Sequence, residues 1–208
     1  MKTIALIAQK GGTGKTTLAL ALAVAAEQDG LASLIVDLDP QATACNWSDR
    51  RGTDSPLVID AQPARMAQAL EKAREGGIGL AVIDTPARSE QAALAAAKLA
   101  DLIVIPCRPQ IYDLETIQNT QELVALAGGK KPVLVVLNAI PPRGDRPDQA
   151  RKAIESMQIP VCPITLGHRT AFGDAGALGQ TALEYDPKGK AADEIRQLYK
   201  YTSSLLNK

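Results

Sequence analysis

Gln9-Lys10-Gly11-Gly12-Thr13-Gly14-Lys15-Thr16-Thr17 lies between an apolar run and an alanine- and leucine-rich stretch, and its reading decides the fold. Residues 3–8 (TIALIA) are apolar and made of β-formers or small residues, as in a buried strand. Residues 15–27 (KTTLALALAVAAE) favour a helix throughout, and Gly30 stands where that helix would stop. A glycine-rich turn between the two gathers backbone N–H groups with no side chains in the way. Added to the positive end of the helix dipole, those donors form an anion cradle. Lys15 can reach the β- and γ-phosphates of a nucleotide, and the Thr16 hydroxyl is placed to bind Mg²⁺. Gly11, Gly12, Thr13, Gly14 and Thr17 complete the expected phosphate-binding set.

The chain outside this loop is an ordinary globular one. Its 208 residues predict one domain, residues 1–208, with a sizeable core. Aromatic residues make up only 3%, so the core must be built from Ala, Leu, Ile and Val, and stacking platforms for single-stranded nucleic acid are disfavoured. Lys+Arg and Asp+Glu both number 23, so any polyanion-binding surface must be a local patch. Cys45, Cys107 and Cys162 are widely separated and form no C-x-x-C pair, which argues against a disulfide framework or a cysteine-rich metal site. No apolar run approaches the ~20 residues a membrane span needs, and the N-terminus enters the first strand without a signal peptide. A cytoplasmic protein is expected.

Strands and helices alternate along the chain. Residues 32–37 (ASLIVD) read as a buried strand ending on Asp37, and Asp39-Pro40-Gln41 leaves it because Pro40 cannot continue a central ladder. A carboxylate at the C-terminal end of a parallel strand lies in the crevice where ligands bind. Trp47 is expected to pack against the sheet edge. Residues 57–60 form a short strand, and Pro63 starts a helix that Gly76-Gly77 ends. Leu80-Ala81-Val82-Ile83-Asp84 is a hydrophobic strand ending in aspartate, the Walker B pattern, in which the carboxylate meets the Mg²⁺ shell. Ser89 caps the next helix. Residues 101–106 form a strand, Asp113 caps a helix running to about Gly128-Gly129, and residues 132–138 form a strand ending on Asn138. A helix to about Met157 and a short final strand, Val161 to Thr165, follow. His168 has no partner pattern for metal binding or nucleophilic catalysis, so a structural or interface role is expected. The C-terminal helix carries one apolar stripe, Ala192, Ile195, Leu198, Tyr199, Leu205 and Leu206, suited to docking on the domain. The pattern predicts an α/β fold, a P-loop NTPase with a mostly parallel twisted sheet and helices on both faces.

The loop departs from G-x-x-x-x-G-K-[ST], since Gln9 stands where the first glycine belongs, and Lys10 precedes a glycine pair. This resembles the deviant Walker A motif, K-G-G-x-G-K-[ST], of the ParA/MinD family of dimerising ATPases. Asp37-Leu38-Asp39-Pro40-Gln41 resembles the family's D-x-D-P-Q segment, and Asp84-Thr85-Pro86 its D-x-P form. The resemblance covers nearly the whole chain. It implies that Lys10 crosses a dimer interface to the partner's nucleotide, and that Asp39 serves Mg²⁺ and the attacking water with Asp37 in support. It also implies that Asn138 reads the adenine edge, and that residues 168–179 lie near the nucleotide and the dimer surface.

On that resemblance the chain is expected to hydrolyse ATP with Mg²⁺ and to form an ATP-dependent homodimer. A ParB-like or other cargo-adaptor protein would stimulate it. It looks like the small ParA-type ATPases that bind DNA nonspecifically and move plasmids or other cargo, in the cytoplasm and on the nucleoid when ATP-bound. Lys188, Lys190, Arg196, Lys200 and Lys208 outnumber Asp193 and Glu194 at the C-terminus. Arg143, Arg146, Arg151 and Lys152 make a second cluster; both are candidate phosphate contacts. The competing readings are a MinD-like membrane-associated regulator and a metabolic enzyme of the same superfamily. An iron–sulfur reductase would need paired cysteines, and an amidoligase a substrate site that the sequence does not display.

Overall fold

The computed structural model describes residues 1–128 and 131–207. Six parallel strands form one sheet: β1 (Lys2–Leu6), β2 (Ser33–Asp37), β3 (Leu57–Asp60), β4 (Leu80–Asp84), β5 (Leu102–Cys107) and β6 (Val133–Leu137), in the order β3-β2-β4-β1-β5-β6. The helices are α1 (Lys15–Gln28), α2 (Thr43–Arg51), α3 (Met66–Glu75), α4 (Glu90–Leu99), α5 (Ile111–Leu126), α6 (Arg146–Ser156), α7 (Thr170–Ala177), α8 (Ala182–Tyr185) and α9 (Lys190–Leu206). A 3₁₀ turn, Pro63–Arg65, leads into α3.

Side chains alternate along each strand between two cores, one on each face. Ile4, Leu6, Ile35, Val82, Val104 and Val136 face one core, and Ala5, Ile7, Val36, Ile83, Ile105 and Leu137 the other. A sheet covered on both faces has no solvent side, which is why its strands read as continuous apolar runs. On the first face α1 lies between the sheet and α9 and is buried from Leu18 to Ala26. Its alanines let both neighbours approach closely. The stripe of α9 docks there through Ala192, Ile195, Leu198 and Leu206. Ile195→Val, which removes one methyl from this seam, is expected to cost about 1 kcal/mol, read as a lower urea midpoint with an unchanged slope.

One expectation is corrected in detail. Residues 161–165 do not form a strand; Val161 makes a single bridge to Val135. Cys162 N donates to Val135 O and Val135 N to Pro160 O, but Pro160 and Pro163 flank the contact without N–H groups, so the ladder stops there. Trp47, on α2 beside the edge strand β3, is buried in the α1-side core with Ile35 and Val58; its Nε1 donates to Gln180 O at 3.0 Å, and Arg51 of the same helix lies over its ring. Arg51 also forms a two-pronged pair with Glu184, joining α2 to α8. Helix α5 ends at Leu126; Gly129 lies outside the described residues.

The connections after β1 and β4, neighbours in the sheet, leave for opposite faces: α1 packs on one core and α4 on the other. The divergence opens a crevice at the C-terminal ends of the two strands, where ligands bind in open α/β sheets.

Candidate functional site

The sheet register brings the acidic residues together. Asp37 and Asp84 are the last residues of β2 and β4 and lie opposite each other, and Leu6, ending β1, lies opposite Asp84. The loop 9–14 follows directly. Gly14 begins α1 with φ 98° in the left-handed region, and a Cβ there would sit 2.2 Å from Asn138 Nδ2. Backbone and space both demand glycine. Asn138 in turn donates from Nδ2 to Thr13 O at 2.7 Å, bracing the loop against the end of β6.

Lys15 is buried, and its Nζ points back along the loop to Lys10 O at 3.4 Å. Burial lowers its pKa, while the charges of Asp84 and Asp39 oppose that shift. Asp84 is wholly buried, and neither carboxylate oxygen has a hydrogen-bond partner among the described residues; Thr13 Oγ1 is in the same position. Burial pushes the Asp84 carboxyl up to about 7, against the influence of the Thr16 hydroxyl and Lys15, with Asp37 and Asp39 adding to the rise. A buried carboxylate without a partner is costly to a fold. It suits a hydrated divalent cation, which keeps several waters and takes one or two protein ligands plus phosphate oxygens. Among the described residues no group of three or more His, Cys, Asp or Glu side chains could hold a metal alone. The donor set therefore fits a metal–phosphate pair better than a bare ion.

Asp37 and Asp39 shape the next loop. Asp37 accepts from Ala44 N at 2.9 Å, Cys45 N at 3.3 Å and Asp39 N at 3.0 Å, and so caps α2 from across the loop. Asp39 accepts from Gln41 N at 3.0 Å and is only half-buried. Non-glycine residues with positive φ occur at Ala42, Arg88 and Ala139, in the loops leaving β2, β4 and β6. Such strain concentrates where surrounding structure holds a loop for a purpose.

Lys10 sits at the rim, and its partners lie in its own chain. Its Nζ is 2.9 Å from Asp113 Oδ1 and 5.2 Å from the centre of the Tyr112 ring. Asp113 does not cap α5, as its place in the sequence suggested. It lies within the first turn, where its nearly inaccessible carboxylate also accepts from Arg108 Nε at 2.7 Å and from Arg108 Nη2 at 3.1 Å. The Arg108 and Lys10 side chains draw the Asp113 pKa below its ordinary value, overcoming the opposing effect of burial.

A cavity of about 340 Å³ opens beside the loop, with Thr17, Asn138, Arg169 and Phe172 among its walls. Both polar atoms of the Asn138 amide are engaged, Nδ2 by Thr13 O and Oδ1 by Ala139 N, and each retains capacity for one more bond. His168 is exposed at this rim. Of the basic residues noted above, Lys188, Lys190, Lys200, Arg143, Arg146 and Lys152 are exposed. Arg196 and Arg151 instead donate to the carbonyls of Pro187 and Cys162, and Lys208 lies outside the described residues. Glu194, counted against the C-terminal cluster, is engaged by Arg169. Arg108, Asp113, Arg169 and Glu194 join this region through contacts that no local motif announces.

Comparison with known proteins agrees with this geometry. The profile of the CobQ/CobB/MinD/ParA nucleotide binding domain matches residues 4–182. The chain is 33% identical to the maintenance of carboxysome distribution protein A of Gloeobacter kilaueensis, over 100% of this chain and 94% of that one. It is 24% identical to the chromosome-partitioning ATPase Soj of Thermus thermophilus, over 95% and 94% of the two chains. The solved septum site-determining protein MinD of Pyrococcus horikoshii, complexed with Mg-ADP, superimposes with a TM-score of 0.76 at 21% identity, over 98% of this chain and 96% of that one.

Proposed function

Because the chain belongs to the CobQ/CobB/MinD/ParA nucleotide-binding family, we propose that it is a Mg²⁺-dependent ATPase that dimerises on ATP, binds DNA without sequence preference and positions a cargo. Its hydrolysis is stimulated by a ParB-like or other cargo-adaptor protein. The observation that carries the reading is the buried Asp84 carboxylate, without a hydrogen-bond partner among the described residues and close to Lys15 at the mouth of the glycine loop. Mg-ADP in the Pyrococcus relative is consistent with that reading.

In this site the amides of residues 11–17 and Lys15 hold the phosphates, and Asn138 contacts the adenine. Thr16 and Asp84, with Asp39, would hold the Mg²⁺. Bound Mg²⁺ supplies charge neutralisation on the β- and γ-phosphates, the main demand of phosphoryl transfer. Asp39 orients the attacking water. Lys10 leaves Asp113 and extends to the partner's nucleotide, so that association and nucleotide state are coupled. Asp113 keeps its two-pronged pair with Arg108 when Lys10 departs, so the buried carboxylate is not left without a counter-charge.

The apolar stripe of α9 is buried against α1, which favours DNA over a membrane surface as the ATP-dependent partner. The exposed lysines and arginines of α6, α9 and their flanks, doubled in a dimer, would bind phosphates with steep salt dependence. The two curated relatives described above are named for carboxysome distribution and chromosome partitioning, so the reading is of cargo positioning in general. Binding to unrelated DNA duplexes at low salt is expected with ATP and little with ADP. Equal retention without nucleotide, or none in any nucleotide state, would sink the reading. Lys10→Ala should retain ATP binding yet lose the ATP-dependent dimer and stimulated turnover. Light scattering with ATP that matches the parent protein would show that Lys10 does not act across an interface.

A further inference from the structure

Arg169 and Glu194 form a two-pronged pair in which Arg169 Nε donates to Glu194 Oε2 at 3.0 Å and Nη2 donates to Oε1. Glu194 Oε2 also accepts from Gly167 N at 3.1 Å. One carboxylate from the C-terminal helix thus fixes both the guanidinium and the backbone of Gly167, which is bridged to Ile140. Gly167 is the reason the guanidinium fits. A Cβ there would lie only 3.0–3.1 Å from Arg169 Nη2, Cζ and Nε, so the group rests where a side chain at 167 would otherwise be. Arg169 is also part of the wall of the 340 Å³ cavity beside Thr17 and Asn138. Its side chain is 31% exposed, against 19% for Glu194.

We propose that Glu194 is a positioning residue that holds Arg169 as a stacking face for the base of a bound nucleotide. This rests on the reading of the glycine loop as a nucleotide-phosphate site. Three features support it. The cavity adjoins the phosphate loop through Thr17, at the side where the rest of a nucleotide must extend. A chain with 3% aromatic residues has few rings to spare for a base, and among the described residues lining this cavity the Phe172 ring and the exposed His168 imidazole are the aromatic ones. A planar guanidinium held in a carboxylate fork is pre-organised to stack on an aromatic surface, which a lysine ammonium is not. The pair also ties the pocket to α9, whose other face is packed on α1, so the C-terminal helix takes part in nucleotide binding without a phosphate contact.

The test compares Mg·ATP with Mg·tripolyphosphate, which offers the phosphates without a base, by titration calorimetry on the full chain. Arg169→Lys keeps the cation and its pair but removes the planar face. It should weaken ATP about tenfold and leave tripolyphosphate within about twofold. Gly167→Ala should give the same base-selective loss by displacing the guanidinium. Glu194→Gln should weaken ATP several-fold, with no further loss when added to Arg169→Lys, because the two act as one unit. Unchanged ATP affinity in Arg169→Lys, or parallel losses of ATP and tripolyphosphate in these variants, would overturn the proposal. A parent protein that binds neither ligand would instead remove the phosphate-site reading on which the proposal stands, and the unmodified chain would reveal that first.

Discussion

Lys15→Ala is expected to abolish nucleotide binding, with ATP affinity falling on the order of 100-fold or more in calorimetric titration. The ammonium is buried at the base of the glycine loop, where its hydrogen bond to Lys10 O aims it along the cradle. Burial disfavours its charge, and Asp84 and Asp39 are the groups that counter this. Removing Lys15 therefore does two things at once. It takes away the cation proposed to face the phosphates, and it deprives Asp84 of the neighbour that favours its ionised form. The fold should survive, because α1 is held by the residues from Leu18 to Ala26 and not by its first turn. Far-ultraviolet circular dichroism should match the parent. A loss of ATP affinity smaller than tenfold in a folded variant would show that the phosphates sit elsewhere.

Asp84→Asn should make the nucleotide-free protein more stable and its chemistry worse. The folded carboxyl has a pKa of about 7 against an ordinary 3.8, and the cause is burial. Below pH 4 both folded and unfolded chains carry the proton, and the folded state keeps its full advantage. As pH rises from about 4 to about 7 the unfolded chain ionises first, so unfolding becomes easier. Above about 7 both states are ionised and the loss is complete. A shift of this size corresponds to at most about 4 kcal/mol. Urea midpoints should therefore show the Asp84→Asn protein gaining about 2–4 kcal/mol over the parent at pH 8, with the gain vanishing near pH 4. Added Mg·ATP should stabilise the parent strongly and the variant little, and hydrolysis should fall on the order of 100-fold. A parent protein whose apo stability is flat between pH 4 and 8 would show that Asp84 is not held in the strained state its burial indicates.

The two lysines of the loop show how far a sequence can be read. Lys15 stands next to Thr16 in a motif whose geometry is local, set by a strand, a turn and a helix start, and its position followed from spacing alone. Lys10 could be singled out by type, but its present partner could not. Asp113 lies far along the chain, and in sequence it looks like a helix-capping aspartate. Only the packing of β5 beside β1 brings the first turn of α5 to the loop. Arg169 and Glu194 are a similar case, one ahead of α7 and the other on α9, meeting at the wall of a cavity. The strand expected at residues 161–165 failed for the opposite reason. Its apolar character is local and real, but pairing depends on N–H groups that Pro160 and Pro163 lack.

Sequence alone therefore determined the sheet, its parallel character and the glycine-rich loop between β1 and α1, because strand and helix periodicity and glycine turns are properties of neighbouring residues. It also supplied Asp84 and Asn138 as strand-end groups, since a parallel strand delivers its last residue to the crevice. The tertiary structure decided what those groups meet: that Asp84 is buried without a partner among the described residues, that Asn138 braces the loop, and that Lys10 is paired within its own chain. Charge pairing and desolvation act through space between segments distant in sequence, and only the packed sheet sets those distances.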